Sequence, residues 1–299
     1  MSTAIAPSSN LPMRTAIALG TIYVVWSTTF YGIRLALDGF SPFLLGGLRF
    51  LLAAMLLMLG AAAARAPRPR LAEIGGAAIL GMLIVLVPNG SVVWAEQTIS
   101  TGVVALLGAT TPLFVLGIQA GFGVRPSRRG LLGIALGLAG VGILVAPQLA
   151  AGFGAAVALQ AELVLASLVC AFGMVVGRRL PTPASGLYSA GFTMLAGGVG
   201  FMIIAGARGE HLVPAAVPYH AWLGLAYLVV FGSCLGFTAF TWLVQHVRPT
   251  LVATSSYVNP VLAMFVGVWA LHEPLAPSTL AGAAVIVGSV VLVAGDRKN

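Results

Sequence analysis

Charged residues make up only 7% of the 299 residues, while 59% are hydrophobic and the mean hydropathy is +1.04. That leaves far too little polar surface to cover a water-soluble globule. Cysteine is nearly absent as well. Cys170 and Cys234 both fall within apolar runs, away from aqueous thiol exchange, which argues against a disulfide scaffold or a cysteine metal site. His211, His220, His246 and His272 lie near loops without ligand spacing, so no metal is expected. Catalytic patterns are missing too. There is no zinc-binding helix motif, phosphate-cradling loop or membrane carboxylate dyad, and Ser233 has no histidine at comparable depth to activate it. Neither an enzyme nor a cofactor is expected.

What the chain has is long apolar runs from one end to the other. Each is long enough to cross a hydrocarbon core of ~30 Å as a helix. Ten spans are expected, over residues 14–34, 41–60, 72–93, 98–121, 129–146, 155–177, 187–206, 219–242, 250–271 and 278–295. The chain is thus expected to be an all-α membrane protein. Links are short, and only 61–71 and 207–218 could hold more than a turn, so no separate soluble domain is expected. Residues 1–11 lack the basic region, short apolar core and cleavage site of a signal peptide, so the first run is expected to stay as a helix.

The net charge of +8 is spread over alternate loops and not gathered into an aromatic-laced basic stripe, so nucleic acid is not an expected partner. Membrane topology explains it better. With a cytoplasmic amino terminus, 12 of the 15 basic residues fall inside, leaving Arg34, Arg49 and Arg208 outside or near it. Both termini are expected to be cytoplasmic in a multi-pass inner (plasma) membrane protein of bacterial type. A monomer is the expected state.

An internal match adds function to this picture. Trp94, Gln97, Val104, Ala105 and Pro112 correspond to Trp242, Gln245, Val252, Ala253 and Pro260 at a constant offset of 148. Tryptophan, glutamine and proline carry the match, because identities among small apolar residues are common in membrane chains. Five spans per half would turn the second half upside down. Two inverted five-helix repeats, 1–150 and 151–299, are therefore expected, an arrangement that places a transport site near the midplane between the halves.

The candidate site follows from the helix breakers. Pro112 and Pro260 each remove an amide from an apolar run, and Pro88 in the third span is matched at the same offset by Gly236 in the eighth. These four are the candidate gating positions. Asn89, Thr110 and Thr111 beside the first-half prolines, with Ser233, Tyr257 and Asn259 in the second half, are candidate substrate contacts. Tyr23 and Trp26 in the first span could line an apolar cavity.

Other polar or small residues read as structural. Arg49 lies some eight residues into the second span, about 12 Å deep at the helical rise, within snorkelling reach of the interface. It reads as an anchor, with Glu162 at similar depth as an alternative partner. Arg34 and Asp38 have the spacing of a weak surface pair. Trp94 and Trp242 fall at span ends, where indoles prefer the headgroup region. Gly133, Gly137 and Gly140, like Gly197, Gly198 and Gly200, read as sites of close helix approach.

The run Trp26-Ser27-Thr28-Thr29-Phe30, then Ser41-Pro42-Phe43 and Leu48-Arg49-Phe50, resembles the opening of the drug/metabolite transporter superfamily in its EamA-repeat branch. Trp94 to Pro112 and Gln245 to Pro260 are similar to that family's third-to-fourth and eighth-to-ninth helix joints. Ala171-Phe172 stand where a second copy of Trp26-Ser27 would fall. The resemblance implies a ten-helix basket with a central cavity reached alternately from either side. Within the family the chain looks most like inner-membrane exporters of amino acids, including aromatic ones. The implied substrate is a small neutral or zwitterionic metabolite. A passive channel for small solutes is the alternative.

Overall fold

The apolar runs fold as helices in the computed structural model, which describes residues 11–123, 126–150, 154–247, 252 and 254–294. In chain order the helices are α1 (Leu11–Leu37), α2 (Pro42–Ala63), α3 (Leu71–Ala95), α4 (Thr101–Gly121) and α5 (Arg128–Ala150). They continue as α6 (Ala155–Gly177), α7 (Gly186–Ala207), α8 (Tyr219–Tyr227, Leu228–Leu235 and Gly236–His246), α9 (Ser255–Leu271) and α10 (Pro277–Ala294). No strand occurs among the described residues. The all-helical class is therefore as expected. Eight of these helices, α1 to α8, hold stretches long and apolar enough to cross a membrane, while Val258–Leu271 and Pro277–Val293 are shorter apolar stretches.

Local chemistry sets the ends. Ser41 is extended and Pro42 opens α2, where a missing amide costs nothing because first-turn amides have no helical partner. The carboxylate of Glu210 then accepts from Phe43 N at 3.0 Å and Leu44 N at 2.9 Å, and Glu273 accepts from Thr101 N at the start of α4. An acid at a helix amino end is favoured by the macrodipole as well as by those bonds. α9 stops at His272, whose φ of 54° turns the chain so that Glu273 N bonds Gly267 O.

Helices approach closely where glycine leaves room. On α7, a Cβ at Gly197 would fall 2.6 Å from Val85, and one at Gly200 2.6 Å from Leu86, so both glycines seat α3. Gly198 faces Leu51 of α2, while Gly133 and Gly140 of α5 face Val293 and Ile286 of α10. Around these contacts Phe50 and Phe201 stack at 5.7 Å in a core that includes Leu45, Val85 and Leu228.

Neighbour relations repeat between the halves. α1 packs on α8 and α9, α6 packs on α3 and α4, α2 packs on α7, and α5 packs on α10. Irregular backbone recurs at matching places too. Gly81–Leu86 ahead of Pro88 and Leu228–Leu235 ahead of Gly236 both wind as π-helix, each over-wide by one residue per turn. Pro88 and Gly236 thus stand just after widened turns in helices that continue. α4 is the helix that breaks, between Gly108 and Thr111, with Pro112 in the first turn of its second piece. α9 runs through Pro260, whose ring removes the bond that Ser256 O would accept.

Candidate functional site

α1, α2, α3, α4, α8 and α9 line a half-open cavity of about 320 Å³. Trp26, Thr29, Phe30 and Ile33 of α1 supply one wall. Asn89 of α3, Thr111 of α4, and Asn259 with Pro260 of α9 supply another, and Phe237 of α8 closes the aromatic side. The fourth and ninth helices therefore meet at one space through Thr111 and Asn259. α6 and α7 contribute no lining residue, so the cavity leans towards α1.

Trp26 is fixed by the irregular part of α8. At the π-turn, Gly236 N bonds Phe231 O and Ser233 O, and the indole Nε1 of Trp26 donates to Gly232 O at 3.3 Å. Its ring meets Phe237 at 5.9 Å, edge to face, and Phe240 at 5.3 Å. The indole is thus held by one hydrogen bond and two aromatic contacts, with a face left to the cavity.

Of the candidate residues, Tyr23 and Thr110 sit nearby without lining it, while Thr111, Asn89 and Asn259 line it. Tyr23, one turn before Trp26, hydrogen-bonds Thr254 and so ties α1 to the start of α9. Thr110 is buried at the α4 break and donates to Leu107 O at 2.6 Å. Ser167 of α6 donates to the same carbonyl at 3.2 Å, and Thr111 donates to Gly108 O at 2.8 Å. The carbonyls released by the break are therefore occupied by hydroxyls of the protein itself, which leaves less free backbone for a ligand than a bare break would. Asn89 donates to Val85 O at 2.9 Å. Oδ1 of Asn259 has no partner among the described residues. The side chain of Tyr257 lies outside the described ones.

One cavity residue was read from sequence as a structural anchor. Arg49 is buried and lines the space, with Nε donating to Ser233 Oγ at 3.0 Å. Its depth in an apolar span was the available signal. A pair with Glu162 does not form: Glu162 instead accepts from Ser91 at 3.2 Å on the far side of α3. Ser233 is completely buried and reaches the cavity only through Arg49.

Acids and bases gather at the end of the bundle where α1, α3 and α7 finish. Arg34 donates to the main-chain oxygen of Glu96 and not to Asp38, which pairs with His220 at 3.0 Å. The Glu96 carboxylate is fully buried, and neither oxygen has a hydrogen-bond partner among the described residues. Burial pushes this carboxyl well above the usual range; Arg34 and Arg49 oppose the rise and Glu273 adds to it. Arg208 pairs with Glu210 and lies 4.4 Å from the Trp94 ring, so that indole is capped by a cation at its span end.

Long apolar helices around a small aromatic and polar cavity define a multi-pass membrane transport protein. The EamA-like transporter family matches residues 14–146 and 160–295, and the chain belongs to that family. It is 35% identical over 279 residues to the uncharacterized inner membrane transporter YedA of Escherichia coli K12, covering 92% of this chain and 89% of that one. It is 27% identical to a probable terminal-alkyne amino-acid exporter of Streptantibioticus cattleyicolor, with 92% of each chain covered. A crystal structure at 19% identity aligns with a TM-score of 0.63 over 93% of this chain and 96% of the other, a likeness of fold.

Proposed function

We propose that the chain exports small neutral or zwitterionic metabolites, amino acids including aromatic ones, by alternating access at the central cavity. The observation that carries this reading is the cavity itself. Its size, about 320 Å³, suits a small metabolite, and it combines aromatic rings on α1 and α8 with amides and a hydroxyl on α3, α4 and α9. Rings offer contact to an apolar side chain, and the amides of Asn89 and Asn259 offer groups to a polar head. The relative from Streptantibioticus cattleyicolor, a probable amino-acid exporter, supports the same substrate class.

The reading includes ten spanning helices in two inverted halves, with both termini cytoplasmic. Exchanging α1 for α6, α2 for α7, α3 for α8, α4 for α9 and α5 for α10 maps the largest helix contacts onto one another, which supports a pseudo-two-fold axis. The paired π-turns support it as well.

Purified protein in liposomes tests the proposal. Methionine, threonine and phenylalanine should cross with a saturable rate, compete with one another, and exit faster when unlabelled substrate is present on the opposite side. Flux that does not saturate would mark a passive channel. Active protein that moves other solutes but none of these amino acids would overturn the substrate class.

A further inference from the structure

Arg49 is a buried cation without an adjacent anion among the described residues. Only 6% of it is exposed, and its guanidinium lies 4.7 Å from the centre of the Phe50 ring. Its Nε is committed to Ser233, which fixes the plane of the fork. Among the described residues neither Nη makes a hydrogen bond to the protein, and no carboxylate oxygen lies within 4.0 Å of the group. Glu96 forms no ion pair with it.

The surroundings are shaped to this side chain. A Cβ at Gly232 would fall 3.2 Å from Arg49 Nη2, and one at Gly236 would fall 2.4 Å from the indole nitrogen of Trp26. One turn of α8 therefore makes room for both, placing the guanidinium and the indole side by side on the cavity wall. A headgroup anchor would need Arg49 to reach out of the helix bundle; instead it is buried, held by Ser233, and lines the cavity.

We infer that Arg49 is the carboxylate anchor of the cavity, so that the transported molecule carries an ionised carboxylate beside an apolar group. The inference rests on the transporter reading above and narrows it. A guanidinium presents parallel N–H donors that match a carboxylate in two bonds. The carboxylate supplies the missing counter-charge, and the apolar group lies against Trp26, Phe30 and Phe237. Arg49 is the only charged residue lining the cavity among those described, which favours a monoanionic head over a phosphate dianion.

The test compares acids with their amides on full-length protein in detergent and in liposomes. Probes are phenylalanine, methionine and threonine, each beside its carboxamide, with binding read by competition and thermal shift. The acid should bind about 10-fold or more tighter than the amide, as expected for a charge-assisted pair. In Arg49→Gln that ratio should fall to about one while amide binding stays, and Arg49→Lys should recover part of it.

Should Arg49→Gln not fold, the acid-to-amide ratio of the wild-type protein and the milder Ser233→Ala still decide the matter. The latter should weaken acid binding several-fold and leave the amides unchanged. Equal binding of acids and amides, or a ratio that survives Arg49→Gln, would overturn the anchor while leaving the transporter reading intact. So would transport confined to amines or uncharged solutes. If no small solute crosses at all, the transporter reading fails first.

Discussion

Trp26 lies directly over Gly236, with only 2.4 Å between its indole nitrogen and the place a Cβ would occupy on that glycine. The same indole donates to Gly232 O one turn earlier. The glycine at 236 is therefore a seat for the tryptophan as well as the residue that closes the π-turn.

Replacing Gly236 by alanine should push Trp26 off this seat and into the cavity. Overpacking of this kind costs about 1–3 kcal/mol. Transport by Gly236→Ala should fall by roughly tenfold or more, since the same displacement breaks the Trp26 hydrogen bond and narrows the site. Liposome flux and thermal unfolding of the purified variant check both effects. Wild-type flux would show that Trp26 can move without consequence.

Glu96 should make stability depend on pH. Its folded-state pKa is raised by burial, so its contribution is complete below the unfolded value of about 4.3 and is lost as pH rises through the folded value. The wild-type melting temperature should therefore fall more steeply as pH rises above about 5 than that of Glu96→Gln, which keeps the shape without a titrating group. Parallel melting curves would contradict the burial of this carboxyl.

The two repeat-matched prolines should behave differently. Pro112 stands in the first turn of the second piece of α4, where no helical bond is lost, so Pro112→Ala should change stability by less than about 0.5 kcal/mol. Pro260 stands inside α9, and alanine there restores a bond to Ser256 O. Pro260→Ala should keep or raise the melting temperature yet slow transport, because the cavity wall at Asn259 and Pro260 changes shape. A large loss of folded protein would assign Pro260 to packing instead.

Orientation can be read with membrane-impermeant thiol reagents. Cysteine at exposed Arg68 should react only from the cytoplasmic side, and cysteine at exposed His211 only from the outside. A reversed pattern would overturn the orientation drawn from the arginine bias.

The helical framework was legible because its cause is local. A run of apolar residues in a bilayer must satisfy its backbone within itself, and a helix does so. Thr111 and Asn259, which stand at the same offset in the sequence match, both line the cavity. Arg49 was visible only as a charge at an unfavourable depth. Whether it met an anion, a headgroup or a cavity depended on α8, which lies 184 positions further along and supplies Ser233.

By itself, then, the sequence determined a membrane-embedded, all-helical chain with helix breakers at particular positions, because hydropathy and helix breaking act over a few neighbouring residues. The tertiary structure decided which of those positions open onto the cavity. It filled the carbonyls at the α4 break with Thr110, Thr111 and Ser167, turned Gly232 and Gly236 into seats, and placed Arg49 beside Trp26. These relations join residues far apart in the chain. They exist only once helices pack, since a hydroxyl, an indole or a guanidinium finds its partner by distance in space and not by spacing in sequence.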